Sequence, residues 1–439
     1  MANRIYLCLA HMSEAGLEQK YIQEAFDTNW VAPLGPNVNG FEEDLKAFVG
    51  QGKEVVALTT GTAAVHLSLI ACGVEPGDEV ITQSFTFCAS AHPVTYLGAT
   101  PVFVDSEKET WNMDPDLLEE AIKDRIAKTG KKPKVIMPVA LYGMPYQIDR
   151  ILEIANRYDI PVIEDAAEGF GSRYDGQVLG TFGRYGILSF NGNKMITTSG
   201  GGALICPNKE EGDRVMWYAT QARESYPYYQ HETIGYNYRM SNICAGIGRG
   251  QMTIVNEHIA HHQHVHQLYV ELFSKIDGIE VHSQPANGRY ASNYWLTSIT
   301  IDENLKIKGQ ENAYKEIITS PVGGVPAVIH AASSARTDCQ PNDNVEALRM
   351  ALEKAGIESR PLWKPMHKQP VYCRTNEKLG MRNEELSHGI IRQTSATSVA
   401  YVNGVSENIF KKGMCLPAGP WVKDEDVKRI VETIKANII

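Results

Sequence analysis

The sequence has no paired cysteine motif, no long apolar run and no excess of positive charge. Its eight cysteines are scattered over 439 residues without a CxxC. This distribution excludes a disulfide framework or a zinc pattern and fits a reducing compartment. No apolar run reaches the roughly 18 residues of a membrane span. The net charge of −10 makes nucleic acid an unfavourable partner, although local Arg, Lys or helix termini could still bind the few phosphates of a small ligand.

What is present is the composition of an ordinary globular protein. Hydrophobic residues make up 43% of the chain and charged residues 21%. At about 150 residues per domain, the length predicts three domains, or one large and one small. The N-terminal apolar run, Ile5 to Ala10, is too short for the core of a signal peptide. We therefore expect a cytoplasmic protein.

Strand and helix patterns alternate between residues 54 and 206, which favours a mostly parallel sheet covered on both faces. The lead-in over 15–50 looks irregular apart from one short helix, and a single long helix is expected from Asn242 to about Lys275. We predict an α/β fold with a large domain over 1–275 and a smaller α+β domain over 276–439. A loop insertion is expected over about 317–344.

Three short segments carry candidate chemistry. Gly61-Thr62 lies between a strand and a helix, where free N–H groups could bind an anion. Asp165 closes an apolar strand, the position at which parallel sheets present ligand-binding residues. Lys194 lies between a strand and a triple glycine and could act as an amine nucleophile. Each also has an ordinary explanation, as a turn, a capping aspartate or a solvated lysine.

Taken together, the three segments predict a site for pyridoxal 5′-phosphate. The helix start and Ser189 would hold the phosphate, and the Asp165 carboxylate would keep the pyridine nitrogen protonated. Lys194 would bond to the cofactor aldehyde and later move the proton. Phe87, which follows a strand end, could cover one face of the ring, with core packing as the alternative.

The chain resembles the DegT/StrS sugar aminotransferases, pyridoxal phosphate enzymes of the aspartate aminotransferase fold (fold type I). The resemblance extends over nearly the whole chain. It is carried in order by NWVAPLGPNVNGFE, ALTTGTAAVHLSL, GDEVITQSFTFCASA, PVFVD, PVIEDAAEGFGS, SFNGNKMITTSGGG, GYNYRMSN, ESRPLWKPMHKQP and CLPAGPWVKDEDV. The SFNGNK and PLWKPMH forms are most similar to the branch that aminates C4 of nucleotide-linked 4-keto-6-deoxyhexoses.

The resemblance implies roles for individual residues. Lys194 and Asp165 match the catalytic lysine and the partner of the pyridine nitrogen. The implied cofactor-binding residues are Gly61, Thr62, Ala63, Phe87, Asp165, Glu168, Ser189, Lys194 and Asn237. The implied substrate residues are Trp30, Arg239, Trp363 and His367. Asn237 matches a residue that a neighbouring subunit lends to the phosphate, which implies a homodimer with composite active sites. Glu168 stands where many relatives have Gln or His, which leaves the polarity beside the ring hydroxyl open.

The resemblance also implies the reaction. L-Glutamate would give its amino group to C4 of a nucleotide-linked sugar, with UDP-2-acetamido-2,6-dideoxy-4-ketohexose as the first candidate and a 4-amino sugar for a surface polysaccharide as the product. Relatives that dehydrate at C3 carry His in place of the lysine, so Lys194 implies transamination. The alternatives are another ketosugar position, a keto-cyclitol, or a cofactor-loaded binding protein without turnover.

Two other motifs have simpler explanations. His258, His262 and His266 recur at one helix face with a spacing that could hold a metal. No carboxylate or cysteine completes the set within the motif, so an exposed polar helix face is favoured and no metal is expected. Gly50-Gln-Gly-Lys53 precedes a strand instead of following one, which favours a surface turn over a phosphate loop.

Overall fold

The computed structural model describes residues 4–314, 319–322, 325–328, 339–373, 382–386 and 389–439. Its helices are α1 (Leu17–Asp27), α2 (Pro36–Val49), α3 (Gly61–Ala71), α4 (His92–Tyr96), α5 (Pro115–Thr129), α6 (Ile148–Tyr158), α7 (Lys209–Ala219), α8 (Asn242–Met252), α9 (Val255–Phe273), α10 (Asp343–Lys354), α11 (Val405–Lys412) and α12 (Asp424–Asn437). Across the part of the chain that the structure describes, none of these helices combines the length and apolar character that a membrane crossing needs.

The strands fall into one large sheet, one smaller sheet and short ribbons. They are β1 (Glu54–Leu58), β2 (Glu79–Gln83), β3 (Thr100–Val104), β4 (Val135–Met137), β5 (Ile163–Asp165), β6 (Arg173–Tyr174), β7 (Gln177–Val178), β8 (Tyr185–Ser189), β9 (Gly202–Cys206), β10 (Ile279–Val281), β11 (Tyr290–Ala291), β12 (Thr297–Ile301), β13 (Thr319–Val322), β14 (Val325–Val328), β15 (Arg360–Pro361), β16 (Arg382–Glu385), β17 (Ile391–Thr394), β18 (Val399–Val402) and β19 (Gly413–Leu416).

The large sheet is parallel at its centre and antiparallel at its edges. The groups β1-β9-β8-β5 and β4-β2-β3-β18-β17-β16 are joined by parallel bridges from Ile136 to Val162 and from Val139 to Asp165. The pairs β5–β8, β2–β4, β2–β3 and β3–β18 are parallel, whereas β9 runs antiparallel to both of its neighbours. The predicted α/β fold with a mostly parallel central sheet is confirmed.

The smaller sheet, β10-β12-β19-β15, is antiparallel throughout. Helices α9, α10 and α12 contribute to its core, which includes Val265, Phe273, Ile299, Leu348 and Ile430. The segment 382–402 of the C-terminal half pairs instead with the large sheet, through β18 and β3. The division at residue 275 remains a prediction.

Two local predictions were wrong. The lead-in over 15–50 contains a second helix, α2, because Pro36 starts a run whose apolar side chains Val38, Phe41 and Leu45 are fully buried. The single long helix after residue 242 is two helices. The chain leaves helical geometry at Ile254, and the hydroxyl of Thr253 donates to the Gly250 carbonyl. Half of the predicted insertion at 317–344 lies outside the described residues. In the described half, β13 and β14 form an antiparallel ribbon.

Candidate active site

A cavity of about 300 Å³ lies at the carboxyl ends of the central strands. The loops at the strand ends provide most of its lining, together with the start of α3, and Trp295 and Trp363 come from later in the chain. Parallel strands place the residues that follow them at one edge, which is where α/β sheets bind ligands. The cavity is lined by Thr60, Gly61, Thr62, Val65, Thr86, Phe87, Ala89, Ser90, Val139, Asp165, Ala167, Glu168, Ile187, Ser189, Asn191, Asn193, Lys194, Gly200, Gly201, Trp295 and Trp363.

One end of the cavity is built to receive an anion. Helix α3 begins at Gly61, and the Thr60 hydroxyl caps it by accepting from the Ala63 amide at 2.9 Å. A Cβ at Gly61 would lie 3.0 Å from the Cβ of Ser189, and a Cβ at Gly202 would overlap the Gly61 amide. Glycine at both positions lets the strand ends close on the helix start, where free N–H groups favour a phosphate.

Asp165 lies at the end of β5 and is buried. Its Oδ2 accepts a hydrogen bond of 2.6 Å from the Ser90 hydroxyl, and its Oδ1 accepts one of 3.1 Å from the Ala167 amide. Burial raises the pKa of this carboxyl, and the Ser90 bond opposes the shift. The Thr86 hydroxyl lies 2.8 Å from that of Ser90 and extends the chain of hydroxyl groups.

Lys194 reaches the cavity between an acid and an aromatic ring. Its Nζ lies 3.4 Å from Oε1 of Glu168 and 4.0 Å from the centroid of the Trp295 ring. Glu168 is buried, and burial raises the pKa of its carboxyl while Lys194 opposes the shift. The second oxygen of Glu168 accepts from the Tyr142 amide at 2.8 Å. Tyr142 has a φ of +52°, a costly conformation for a side-chain-bearing residue that the surrounding packing must enforce.

Aromatic side chains line the mouth of the cavity. Phe87 is 47% exposed, and its ring lies 5.3 Å from that of Trp363. The buried Tyr142 ring also stacks on Trp363, with ring centroids 6.1 Å apart, and its hydroxyl accepts from the Trp363 amide at 2.8 Å. These rings give the entrance an apolar wall suited to a flat ring or a sugar face.

These residues fit pyridoxal phosphate. The N-terminus of α3 with Ser189 supplies an anion site, Asp165 supplies a buried carboxylate, and Lys194 supplies an amine, all around one cavity. Among the described residues, Lys194 is the only cation that influences the buried Asp165 carboxylate, and it does so at long range, which suits a ligand that brings a positive charge. No other group of described residues combines these three elements.

Some predicted residues lie outside the cavity lining. Asn237 is exposed, with its backbone bridged to Thr220, and Trp30 is also exposed. Arg239 is buried and its guanidinium is paired with Glu42. This internal ion pair, not a substrate contact, accounts for Arg239 within a single chain.

Two further residues support the lining from behind. Ala63 is buried within the first turn of α3. His367 is buried, and its Nδ1 lies 2.6 Å from the Ser84 hydroxyl. Burial lowers the pKa of His367 to about 4, so the ring is neutral near neutral pH. The sequence analysis missed Thr86, Ser90 and Trp295. Thr86 and Ser90 carried a signal, because both lie in the quoted segment GDEVITQSFTFCASA on either side of Phe87. Trp295 lies in none of the quoted segments.

The histidine stripe on α9 is not the exposed polar face that we expected. His258, His262 and His266 are all buried. His258 lies 3.0 Å from the Met195 carbonyl, and the ring of His266 stacks on Tyr294 at 3.6 Å. Burial lowers the pKa of His262 to about 3 and that of His266 to about 4. These neutral rings pack behind the Lys194 segment.

The fold and the site together define a pyridoxal phosphate enzyme of the aspartate aminotransferase fold. The chain belongs to the DegT/DnrJ/EryC1/StrS aminotransferase family, whose model matches residues 13–319. It is therefore a pyridoxal phosphate-dependent aminotransferase, as the resemblance implied.

Named relatives extend over almost the whole chain. One relative is EpsN of Bacillus subtilis (strain 168), which is named as a proposed pyridoxal phosphate-dependent aminotransferase. It is 40% identical over 99% of this chain and 96% of its own. The GDP-perosamine synthase of Escherichia coli O157:H7 is 31% identical over 98% of each chain. A DegT DnrJ EryC1 StrS aminotransferase structure from Brucella abortus has a TM-score of 0.76 at 26% identity, covering 96% of this chain and 95% of that one. The names support a sugar aminotransferase function.

Proposed function

We propose that this protein transfers the amino group of L-glutamate to C4 of a nucleotide-linked 4-keto-6-deoxyhexose. The observation that carries the proposal is the convergence of Lys194, Asp165 and the N-terminus of α3 on one cavity. When bound, pyridoxal phosphate supplies an electron sink that stabilises negative charge on the carbon next to the transferred nitrogen.

The protein's own residues would provide binding and proton transfer. The first turn of α3 and Ser189 would hold the phosphate, and Asp165 would keep the pyridine nitrogen protonated. Lys194 would bond to the cofactor in the resting enzyme. Once displaced by the amino donor, it would carry the proton between the cofactor and the substrate carbon that holds the transferred nitrogen. Glu168, 3.4 Å from Nζ, is placed to exchange a proton with this amine. Phe87 and Trp363 would exclude water at the mouth.

The sugar position is inferred from relatives and from the sequence motifs. Besides the Escherichia coli protein, relatives from Caulobacter vibrioides and Vibrio cholerae are also named GDP-perosamine synthase, which supports a 4-amino product. UDP-2-acetamido-2,6-dideoxy-4-ketohexose remains the first candidate from the sequence. The GDP-linked 4-keto-6-deoxyhexose is its direct competitor, and both products would serve a surface polysaccharide.

A second candidate is amination at C3. A Pseudomonas aeruginosa relative named UDP-2-acetamido-2-deoxy-3-oxo-D-glucuronate aminotransferase is 35% identical over 68% of this chain and 77% of its own. This substrate carries a carboxylate, so its recognition would call for a cation near the cavity. Among the described residues that line the cavity, Lys194 is the only Lys or Arg. The lining therefore favours the uncharged 6-deoxy sugar.

We further propose a homodimer in which Asn237 enters the partner's site. Asn237 is exposed in the single chain. Four large apolar side chains are exposed to solvent: Phe26, Val31, Leu34 and Ile234. The first three lie within residues 26–34, and Ile234 lies three residues before Asn237. A contiguous patch of exposed apolar side chains is typical of a surface that another chain covers.

The visible absorbance spectrum of the purified protein tests the proposal. Addition of L-glutamate should bleach the band of the lysine-bound cofactor, and the correct keto sugar should restore it. The panel would contain UDP-, GDP- and dTDP-linked 4-keto-6-deoxy sugars and the UDP-linked 3-oxo-glucuronate. A protein that stays colourless after added pyridoxal phosphate contradicts the cofactor site. Restoration by the 3-oxo sugar alone would replace C4 with C3.

A further inference from the structure

Trp295 forms the floor beneath the amine of Lys194. The Nζ lies 4.0 Å from the centroid of the indole ring, well within the distance for a cation–π contact. Trp295 is only 1% exposed. An ammonium in this place therefore has the ring face on one side and the Glu168 carboxylate, at 3.4 Å, on another.

The indole is fixed in place from two directions. Its Nε1 donates a hydrogen bond of 2.6 Å to the carbonyl of Asn193, the residue that precedes Lys194. Its backbone amide donates at 2.9 Å to the side-chain oxygen of Asn293. The floor is thus bonded to the segment that carries the lysine, so the ring and Nζ keep a fixed relation.

Asn293 connects this floor to the acid. Its Nδ2 donates to the carbonyls of Glu168 and Phe170, at 2.9 and 3.0 Å, and the whole side chain is buried. A Cβ at position 143 would overlap Oδ1 of Asn293, and Gly143, with a φ of +92°, leaves the space open. One buried amide therefore holds both walls of the Lys194 site.

We propose that Trp295 is a positioning residue that holds the amine of Lys194 whenever this amine is not bonded to the cofactor. The inference rests on the proposed role of Lys194 in the reaction. A freed lysine side chain has four rotatable bonds. Without a contact to hold it, the amine would move away from the carbons between which it transfers the proton. The ring face, 4.0 Å from Nζ, and the Glu168 carboxylate, 3.4 Å from it, keep the amine within the cavity.

The test measures the amine itself in cofactor-free protein. A limiting amount of acetic anhydride acetylates only unprotonated, accessible amines, and mass spectrometry gives the labelling rate of Lys194 relative to exposed Lys209. Trp295→Met keeps an apolar filler but removes the ring. We expect it to raise the relative labelling of Lys194 about tenfold, a difference of about 1.4 kcal/mol. Trp295→Phe, which keeps a ring, should raise it less than about threefold.

Trp363→Met is the matched control, because Trp363 lines the same cavity and the described contacts of Lys194 do not include it. Because Trp363 lies at the mouth, its loss reports the effect of access alone and should raise Lys194 labelling clearly less than Trp295→Met does. Equal increases in Trp295→Met and Trp363→Met would show that access, not the ring, controls labelling, and would overturn the proposal.

A volume-neutral experiment covers the case in which Trp295→Met does not fold. Protein grown with fluorinated tryptophan keeps all six indoles but weakens the negative potential of each ring face. Relative labelling of Lys194 should rise with the number of fluorine atoms, and an unchanged rate would overturn the proposal. The proposed bond between Lys194 and the cofactor is tested separately. If that bond does not form, Lys194→Ala will keep the same absorbance band as the wild type.

Discussion

Ser90 donates a hydrogen bond of 2.6 Å to Oδ2 of Asp165, although 75 residues separate the two in sequence. Ser90 follows the end of β2, and Asp165 ends β5. Burial alone raises the pKa of Asp165, and this bond is the largest influence that opposes it. The hydroxyl therefore helps to keep the carboxylate ionised, the state in which it can stabilise a protonated pyridine nitrogen.

Ser90→Ala should make the enzyme more sensitive to acid. Without the bond the pKa of Asp165 rises further, so the carboxylate is protonated at a higher pH as the pH falls. A hydrogen bond to a charged group contributes about 1.5 kcal/mol. Its loss should move the acid limb of the pH–rate profile to higher pH by about one unit. The measurement is the rate of the L-glutamate half-reaction against pH. Ser406→Ala, another buried serine, should leave the limb in place, and an unmoved limb in Ser90→Ala would refute the role.

Asp165→Asn should lower the rate of the glutamate half-reaction about a hundredfold or more. The amide keeps the size of the side chain but loses the charge that supports the pyridinium, and preorganised electrostatic groups of this kind are worth that much. Asp165→Ala should be at least as slow. Rapid-mixing absorbance measures the rate, and Asp159→Asn, an exposed acid paired with Lys132, is the control. A near-normal rate in Asp165→Asn would contradict the assignment.

Glu164, the neighbour of Asp165, should affect stability instead of the reaction. Its carboxylate accepts from the amides of Gly180, Phe182 and Gly183 at 3.1, 2.5 and 2.6 Å. Glu164→Ala leaves one buried and two partly buried backbone donors unpaired, at a cost of about 3 kcal/mol. Thermal unfolding should show a clearly lower midpoint. The cofactor band should survive in the folded fraction.

The direction of the pKa shift of Glu164 fixes how this residue makes folding stability depend on pH. Burial raises the pKa of Glu164 above its value in the unfolded chain. Its protonated form is therefore favoured by folding, and this contribution is complete below the unfolded pKa and lost as the pH rises through the folded one. Wild type should thus lose stability relative to Glu164→Gln as the pH rises from about 4. A parallel pH dependence of the two unfolding midpoints would show that the charge does not matter.

Residues that follow strand ends could be predicted from the sequence, because the parallel topology itself brings them together. Asp165 ends β5, Ser189 ends β8, and both line the cavity with Lys194. Sequence could not find Trp295, since its position depends on the packing of a distant segment beneath the lysine. Burial of His262 was missed for a similar reason, because helical spacing shows that residues share a face but not what covers it.

Lys194→Ala should abolish the band of the lysine-bound cofactor and turnover. No other described lysine or arginine lines the cavity, so no other described amine is placed to replace it. Absorbance spectra and a glutamate-dependent assay measure the two losses. Lys209→Ala removes an exposed lysine that pairs with Asp213 and should change neither. Turnover at the wild-type rate in Lys194→Ala would show that the reaction does not pass through this amine.

The composite site can be tested by mixing two variants, each of which is inactive at limiting cofactor. If Asn237 binds the phosphate in the partner's site, Asn237→Ala should need far more cofactor for activity, while its own Lys194 remains intact. A mixed dimer of Asn237→Ala and Lys194→Ala then contains one complete site, in which the Lys194→Ala chain supplies Asn237. Random exchange makes about half of the dimers mixed, so activity at limiting cofactor should recover to about a quarter of wild type. Size-exclusion chromatography would verify the dimer. Mixtures that exchange subunits but recover nothing would place Asn237 outside the partner's site.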